Sequence, residues 1–138
     1  MINKDSYVEI KLTNHTTVGK RNKNNFIFSY EASDVISKQV LEAYTNESPI
    51  QLTIEDQPTI SQNNFLIVDI QSVIGFMKEY KNDEIVVCIL KDKLDAFNKL
   101  IDLDYEPCYR LSCELDDDRS IIPSSIKIIC FDMGQNKA

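Results

Sequence analysis

The run Glu84–Leu90, with the sequence EIVVCIL, is so dense in β-branched and apolar residues that it predicts a buried strand. The stretch behind it has the spacing of an amphipathic helix, and Asp92 is placed to cap the first turn. Four apolar residues share the buried face of this helix, namely Leu94, Phe97, Leu100 and Ile101. The following segment, YEPCYRLSCEL, again predicts a strand. A strand, a helix and a second strand in this order predict a sheet with a helix packed against it.

The first half of the chain shows the same alternation. Apolar residues occupy every second position of Tyr7–Thr13, and residues 26–30 resume this two-residue period after a polar loop. We therefore expect the loop, residues 14–25, to join two antiparallel strands as a long hairpin. Ser33 is the predicted N-cap of the next helix, and residues 49–56, with the sequence PIQLTIED, predict the strand that follows. The apolar face of that helix comprises Ile36, Val40, Ala43 and Tyr44.

Two interpretations are open for residues 65–80. Alternating apolar residues up to Ile70 indicate a strand, whereas the apolar residues from Ile70 to Tyr80 also fit one face of a helix. We predict a strand that ends at Ile70 and a helix over residues 72–80. Because Gly75 weakens a helix by about 1 kcal/mol relative to Ala, a continuous β-hairpin is the alternative.

The end of the chain closes the predicted sheet. The acidic sequence DDDRS, which begins at Asp116, predicts a turn, and residues 125–131 predict a strand antiparallel to the one before it. Residues 131–138 are expected to form a polar C-terminal tail. The length of 138 residues is usual for one domain. We predict a single α+β domain over residues 1–138, with a mainly antiparallel or mixed sheet that two or three helices cover on one face.

The scarcity of glycine and histidine restricts the chemistry open to this chain. Its three glycines cannot form the glycine-rich loop that brings a backbone close to a bound phosphate. His15 is the one histidine, which excludes mechanisms that use paired imidazoles, and no Gly-x-Ser-x-Gly elbow accompanies it. The sequence therefore predicts no catalytic residue and no cofactor site.

Four cysteines occur in a chain whose first residues lack the apolar core of a secretory signal. Cys88 and Cys130 lie in apolar runs and are expected to be small core residues. Cys108 and Cys113 are spaced as C-x4-C, which is wider than common zinc knuckles, and on one regular strand they would point to opposite faces. We predict reduced thiols, no metal site, no membrane span and a cytoplasmic location.

Charge is distributed unevenly in this chain, whose formal net charge is −7. Two clusters are candidate interaction sites: in the polar loop Lys20, Arg21 and Lys23, and in the predicted turn Asp116, Asp117 and Asp118. Residues 79–118 include 12 acidic and 5 basic side chains, and such a negative field repels nucleic acid. The sequence therefore disfavours direct nucleic-acid binding and predicts a protein partner, or self-association in which the basic loop of one copy docks onto the acidic face of another.

These absences and charges favour a non-enzymatic protein–protein interaction module, a structural or adaptor subunit of a larger assembly. A compact chain of this kind would suit a phage or another mobile element, with the host cytoplasm or the virion as its location. Two alternatives stay open. One is an acidic mimic of nucleic acid that inhibits a nucleic-acid-binding enzyme, and the other is a small carboxylate- or metal-dependent enzyme.

Overall fold

The computed structural model of the chain describes residues 4–22, 25–54, 59–60, 66–67 and 73–135. In chain order the strands are β1 (Tyr7–Thr13), β2 (Gln51–Thr53), β3 (Thr59–Ile60), β4 (Leu66–Ile67), β5 (Val73–Tyr80), β6 (Glu84–Leu90), β7 (Tyr105–Ser112) and β8 (Lys127–Gln135), and the helices are α1 (Tyr30–Thr45) and α2 (Leu94–Asp102). Six strands form one sheet in the order β1-β6-β5-β2-β8-β7, and β3 pairs with β4 in a separate ribbon. Within the larger sheet β2 and β8 are parallel, and the other neighbouring pairs are antiparallel. The predicted α+β fold with a mixed sheet is confirmed.

The two helices and the sheet share one hydrophobic core. α1 contributes Ile36 and Val40, α2 contributes Phe97, and the sheet contributes Val87 and Phe131, all of them fully buried. α1 packs against β5, whereas α2 packs against β6 and β7. Burying large apolar side chains of this kind contributes about 1.5–3 kcal/mol each to stability.

The edges and the end of the sheet largely follow the sequence prediction. The strands predicted at Tyr7–Thr13 and Glu84–Leu90 are confirmed as β1 and β6, and they pair with each other along their whole length. β8 is antiparallel to β7, as predicted, but it continues to Gln135. The predicted polar tail over residues 131–138 is therefore wrong for residues 131–135, because Phe131 and Asp132 are fully buried strand residues. Residues 136–138 lie outside the described part of the chain.

α1 begins earlier than predicted. Its N-cap is Ser29, whose hydroxyl accepts a hydrogen bond from the Ala32 amide at 3.1 Å. Ser33, the predicted cap, lies inside the helix, where it is buried and its hydroxyl contacts the Asn82 side chain. Residues 26–29 consequently form no strand, and the predicted hairpin with β1 is wrong because β1 takes β6 as its partner. Ile27 instead forms isolated bridges with Arg21 and Ser120, and the segment leads into the helix without becoming a strand.

α2 has the predicted apolar face but not the predicted cap. A short 3-10 turn, Lys91–Lys93, precedes it and contains Asp92, and the N-cap residue is Lys93, which makes no side-chain capping bond. The remaining apolar residues of the predicted face, Leu94, Leu100 and Ile101, are partly buried and pack against the core. Neither helix in the described residues combines the length and the apolar character needed to cross a membrane.

The region predicted as a helix over residues 72–80 contains a strand instead. β5 runs over Val73–Tyr80, so the predicted helix is wrong and the strand of the alternative interpretation is confirmed for these residues. Its hairpin partner is β6, which lies beyond residues 65–80, and β4 pairs with β3 instead. A β-bulge lies between Met77 and Glu79. The extra residue, Lys78, turns both Met77 and Tyr80 inward and so produces the three-residue spacing of a helix. Residues 68–72 lie outside the described part of the chain.

A helix side chain completes the sheet where β2 is short. β2 has three residues and leaves the first part of β8 without a strand on that side. The Gln39 amide of α1 donates to the Ile126 carbonyl at 2.9 Å and accepts from the Ile128 amide at 3.4 Å. One side chain thus makes the pair of bonds that a neighbouring strand would make, which satisfies the backbone groups there.

Candidate functional site

Arg21 of the basic cluster in the polar loop is bonded to the predicted acidic turn of the same chain. The Arg21 guanidinium donates to the Asn25 carbonyl at 3.3 Å and to the Asp118 carbonyl at 3.2 Å. Arg119 Nε donates to the same Asn25 carbonyl at 2.6 Å. Lys20 is exposed, and Lys23 lies outside the described residues. Loop and turn are therefore neighbours, so these two clusters do not form opposite ends of the molecule.

Asp116 builds the turn that the sequence predicted. Its carboxylate accepts hydrogen bonds from the amides of Asp118 and Ser120, each at 2.9 Å. Arg119 has a φ of 62°, the left-handed conformation that a three-residue hairpin loop places at this position. Asp117 and Asp118 keep exposed side chains. We call residues 114–122 the acidic hairpin. The Asp116 carboxylate stabilises the turn, whereas Asp117 and Asp118 contribute exposed negative charge.

The acidic residues from 79 to 118 do not share one surface. The exposed carboxylates of α2 and its flanks, such as Asp95 and Asp102, precede β7, whereas the acidic hairpin follows it. An eight-residue strand separates its two ends by about 23 Å at roughly 3.3 Å per residue. This separation argues against one continuous acidic surface that could mimic nucleic acid.

His15 links the two edges of the sheet. Its Nδ1 lies 2.6 Å from Oε2 of Glu106, and the Glu106 side chain is 17% exposed. His15 follows the last residue of β1 by two positions, and Glu106 belongs to β7, so this contact joins the start of the loop after β1 to the opposite edge strand. Nearby, burial raises the pKa of the Tyr80 hydroxyl, and the polar side chains of Asn14 and Thr16 offset part of this shift. The one histidine therefore has a structural partner.

A buried ion pair lies beside this contact, between β7 and β8. Asp132 has no exposed surface, and its Oδ2 accepts from Nε of Arg110 at 2.5 Å. The Cys108 thiol donates to the carbonyl oxygens of Glu106 at 3.4 Å and Gly134 at 3.7 Å. Buried charge is expensive unless it is paired, so Arg110 stabilises the charged form of Asp132.

The thiols around the sheet are held in their protonated form. Burial raises the pKa of Cys88 to about 11, with Glu9 adding to the shift. Burial likewise raises the pKa values of Cys108 and Cys130 to about 11, and neighbouring carboxylates add to both shifts. A nucleophilic or metal-binding cysteine needs the thiolate, so these positions do not favour either role. The prediction that Cys88 and Cys130 are buried is confirmed, and all four cysteines are free.

Raising the pH from about 8 to 10.5 is expected to lower the free energy of unfolding by about 2 kcal/mol for each fully buried thiol. The reason is that Cys88 and Cys130 lose their protons near pH 9 when unfolded but near pH 11 when folded, so the unfolded state binds fewer protons in this interval. Urea denaturation under reducing conditions at both pH values measures this loss. The double variant Cys88→Ala/Cys130→Ala should lose correspondingly less, and an equal loss in both proteins contradicts the assignment.

A polar cleft lies between the start of α1 and the β5–β6 turn. Its lining residues are Ser33, Asp34, Ser37, Lys81, Asn82 and Asp83. Hydroxyls are present, but His15 is engaged with Glu106, so the cleft has no imidazole base to activate them. In the described residues no group of three or more histidine, cysteine or acidic side chains is placed to hold a metal ion. The cleft offers hydrogen bonds without a recognisable reaction centre.

The β7 edge of the sheet is protected against strand pairing. Pro107 lies in β7 and, because it has no N–H, cannot donate a hydrogen bond to an added strand. The pairing of β7 with β8 also contains a β-bulge, whose extra residue, Ile129, lies in β8. The contact of Glu106 with His15 also brings the loop after β1 against this strand. These are devices by which proteins prevent edge-to-edge association.

The opposite edge, β1, has none of these devices. It contains no proline, and its seven residues pair with β6 without a register shift. The amide of Asn14 donates to the Asp83 carbonyl at 3.1 Å, which shows that the even-numbered residues direct their backbone groups to β6. The odd-numbered residues therefore direct their N–H and C=O groups outward, namely Tyr7, Glu9, Lys11 and Thr13. We call this outward row the β1 edge; in the described residues no strand pairs with it.

The side chains of β1 also suit a strand partner. Val8, Ile10 and Leu12 are half-buried on the core face, where an added strand would cover them further. Glu9 and Lys11 are exposed on the other face, where Glu9 contacts Lys78 of β5. Neither charge was predicted as an interaction residue from the sequence. The sequence shows that these two residues of a predicted strand carry opposite charges, but it does not show that the strand lies at the edge of the sheet.

Comparison of the chain with protein-family models, curated proteins and solved structures finds no match.

Proposed function

We propose that this protein is a non-enzymatic interaction module, a structural or adaptor subunit of a larger assembly, and that its β1 edge pairs with a strand of a protein partner. The observation that carries this proposal is the difference between the two edges of one sheet. β7 contains Pro107 and contacts the loop after β1 through Glu106 and His15, whereas β1 pairs with β6 through seven residues without a register shift. Strand addition to an open edge gives affinity through main-chain hydrogen bonds and specificity through alternate side chains.

The remaining surface supports a binding role more than a catalytic one. Arg21 donates to backbone carbonyls, the buried carboxylate of Asp132 is paired with Arg110, and burial keeps the thiols of Cys108 and Cys130 protonated. We place the protein in the cytoplasm, where its free thiols stay reduced, or in a virion if a phage encodes it.

The proposal predicts that extended peptides bind at the β1 edge. A displayed library of random peptides should yield sequences with alternating apolar residues that bind with a Kd on the order of 10 µM. Lys11→Pro should weaken this binding at least about 10-fold, because it removes one outward N–H and leaves the bonds to β6 in place. Fluorescence polarisation with a labelled peptide measures the change.

The matched control is Lys11→Thr, which removes the same charge but retains the N–H. It should bind the selected peptides within about 3-fold of the unmodified protein, since main-chain bonds provide the affinity. If no peptide is selected, or if Lys11→Pro binds as well as Lys11→Thr, the β1 edge is not the binding surface and the proposal fails.

A further inference from the structure

We infer that the strand accepted by the β1 edge is β1 of a second copy of this chain, in antiparallel register about a two-fold axis at Ile10. This inference rests on the proposed function and names its partner. A two-fold axis perpendicular to the sheet joins two edges of the same kind, so each copy presents the same residues to the other. The two six-stranded sheets would then form one continuous sheet.

Backbone geometry permits this pairing. The groups that point outward belong to the odd-numbered residues of β1. In a register centred on Ile10, Glu9 lies opposite the partner's Lys11, and Tyr7 lies opposite the partner's Thr13. Odd residues thus face odd residues, so the four outward-pointing residues, Tyr7, Glu9, Lys11 and Thr13, all lie in hydrogen-bonded pairs. The two copies of Ile10 face each other at the axis as a non-hydrogen-bonded pair, where side chains approach closely.

Charge selects this register over its neighbours. Glu9 opposite the partner's Lys11 occurs twice because of the symmetry, and opposite charges directly across strands are favourable. A shift by two residues brings Glu9 opposite the partner's Glu9, or Lys11 opposite the partner's Lys11, and leaves two residues of each strand unpaired. Either change places like charges across the strands, which is unfavourable. A shift by one residue would place the half-buried apolar row against the charged face.

The apolar side chains match in the same register. Val8 lies opposite the partner's Leu12, so the row of Val8, Ile10 and Leu12 continues across the axis on one face. All three are partly exposed in the single chain. Lys11 is exposed and, among the described residues, makes no ion pair, so it is available to the partner. Because one strand pair buries a small area, we expect a weak dimer with a Kd on the order of 10–100 µM.

Sedimentation velocity from about 5 to 500 µM tests the inference across this expected range of Kd. The unmodified protein should shift from monomer to dimer over this range. Lys11→Glu places Glu9 opposite a glutamate at two symmetric positions and should raise the Kd at least about 10-fold. Glu9→Lys places two lysines there and should act likewise. An equimolar mixture of the two variants restores both opposite-charge pairs and should form a heterodimer with a Kd near that of the unmodified protein.

Two controls keep this test specific. Lys99→Glu reverses one exposed charge on α2 and makes the same change in net charge, so it should dimerise like the unmodified protein. Thermal unfolding of each variant checks that the monomer is folded, which matters for Glu9→Lys because Glu9 contacts Lys78.

The failure of this inference can be told apart from the failure of the proposed function. If the unmodified protein stays a monomer at every concentration but selected peptides bind the edge, the partner is another protein and the inference is overturned. A dimer whose affinity does not respond to Lys11→Glu, or variants that fail to pair when mixed, overturns the register. Loss of peptide binding as well would remove the proposed function itself.

Discussion

Gly75→Ala is expected to destabilise the fold by about 3 kcal/mol or more, because a Cβ at this position would lie 2.1 Å from the Cys88 carbonyl oxygen. The next nearest atoms also belong to the backbone of β6, at 3.0 Å and 3.1 Å, so no flexible side chain can move aside. The strands β5 and β6 would have to separate at the centre of the sheet. Thermal unfolding followed by circular dichroism should show a midpoint lowered by about 10 °C.

Gly134→Ala is the matched control for this change. Gly134 is also a strand glycine, in β8, but an added Cβ would lie 3.4 Å from the Cys108 thiol, an ordinary contact. We expect a change of less than about 1 kcal/mol, and reduced chain freedom in the unfolded state can make it stabilising. Equal midpoints for the two variants would show that the close approach at Gly75 does not hold in solution.

The second large effect is expected at the buried ion pair. Arg110→Met removes the guanidinium from Asp132, which is fully buried, and should lower the free energy of unfolding by about 2–4 kcal/mol. The estimate is at the lower part of the range for buried pairs because the Arg110 side chain is 42% exposed. Urea denaturation at neutral pH measures the loss, and a second substitution, Asp132→Asn, should recover part of it because it removes the unpaired charge.

Arg119→Met provides the comparison for that experiment. Arg119 donates to the Asn25 carbonyl on the exposed side of the acidic hairpin, so its removal should cost less than about 1 kcal/mol. Two results would contradict a stabilising role for the Arg110–Asp132 pair. One is an equal loss of unfolding free energy in Arg110→Met and Arg119→Met, and the other is a larger loss when Asp132→Asn is added to Arg110→Met.

The sequence predicted strands well where their alternation was regular. β1 and β6 have uninterrupted patterns and were predicted with their observed bounds. In β5 the bulge at Lys78 shifts the pattern by one residue, so Met77 and Tyr80 imitate a helix. Residues 26–29 show the opposite error, in which a strand was predicted but none forms. Alternation alone does not reveal whether a partner strand is present. Local periodicity thus reports side-chain direction, not pairing.

The candidate site was harder to predict than the fold for a related reason. Asp116 and Arg21 were singled out by their charge, yet the bond between Arg21 and Asp118 joins residues 97 positions apart. The β1 edge was missed because its role depends on sheet order, which places β1 and β7 at the two edges. Sheet order follows from long-range packing that no local pattern specifies.

The order of pairing has a consequence for biosynthesis. β1 leaves the ribosome well before β6, and its register with β6 runs to Leu90, so it has no strand to join until β6 has also been made. At roughly 5–20 residues per second, translation from β1 to the end of β6 takes several seconds. Throughout that time both sides of this strand, not one, are open to neighbouring nascent chains. Nascent chains on polysomes therefore expose β1 with both edges unpaired, and holdase chaperones would have a target there.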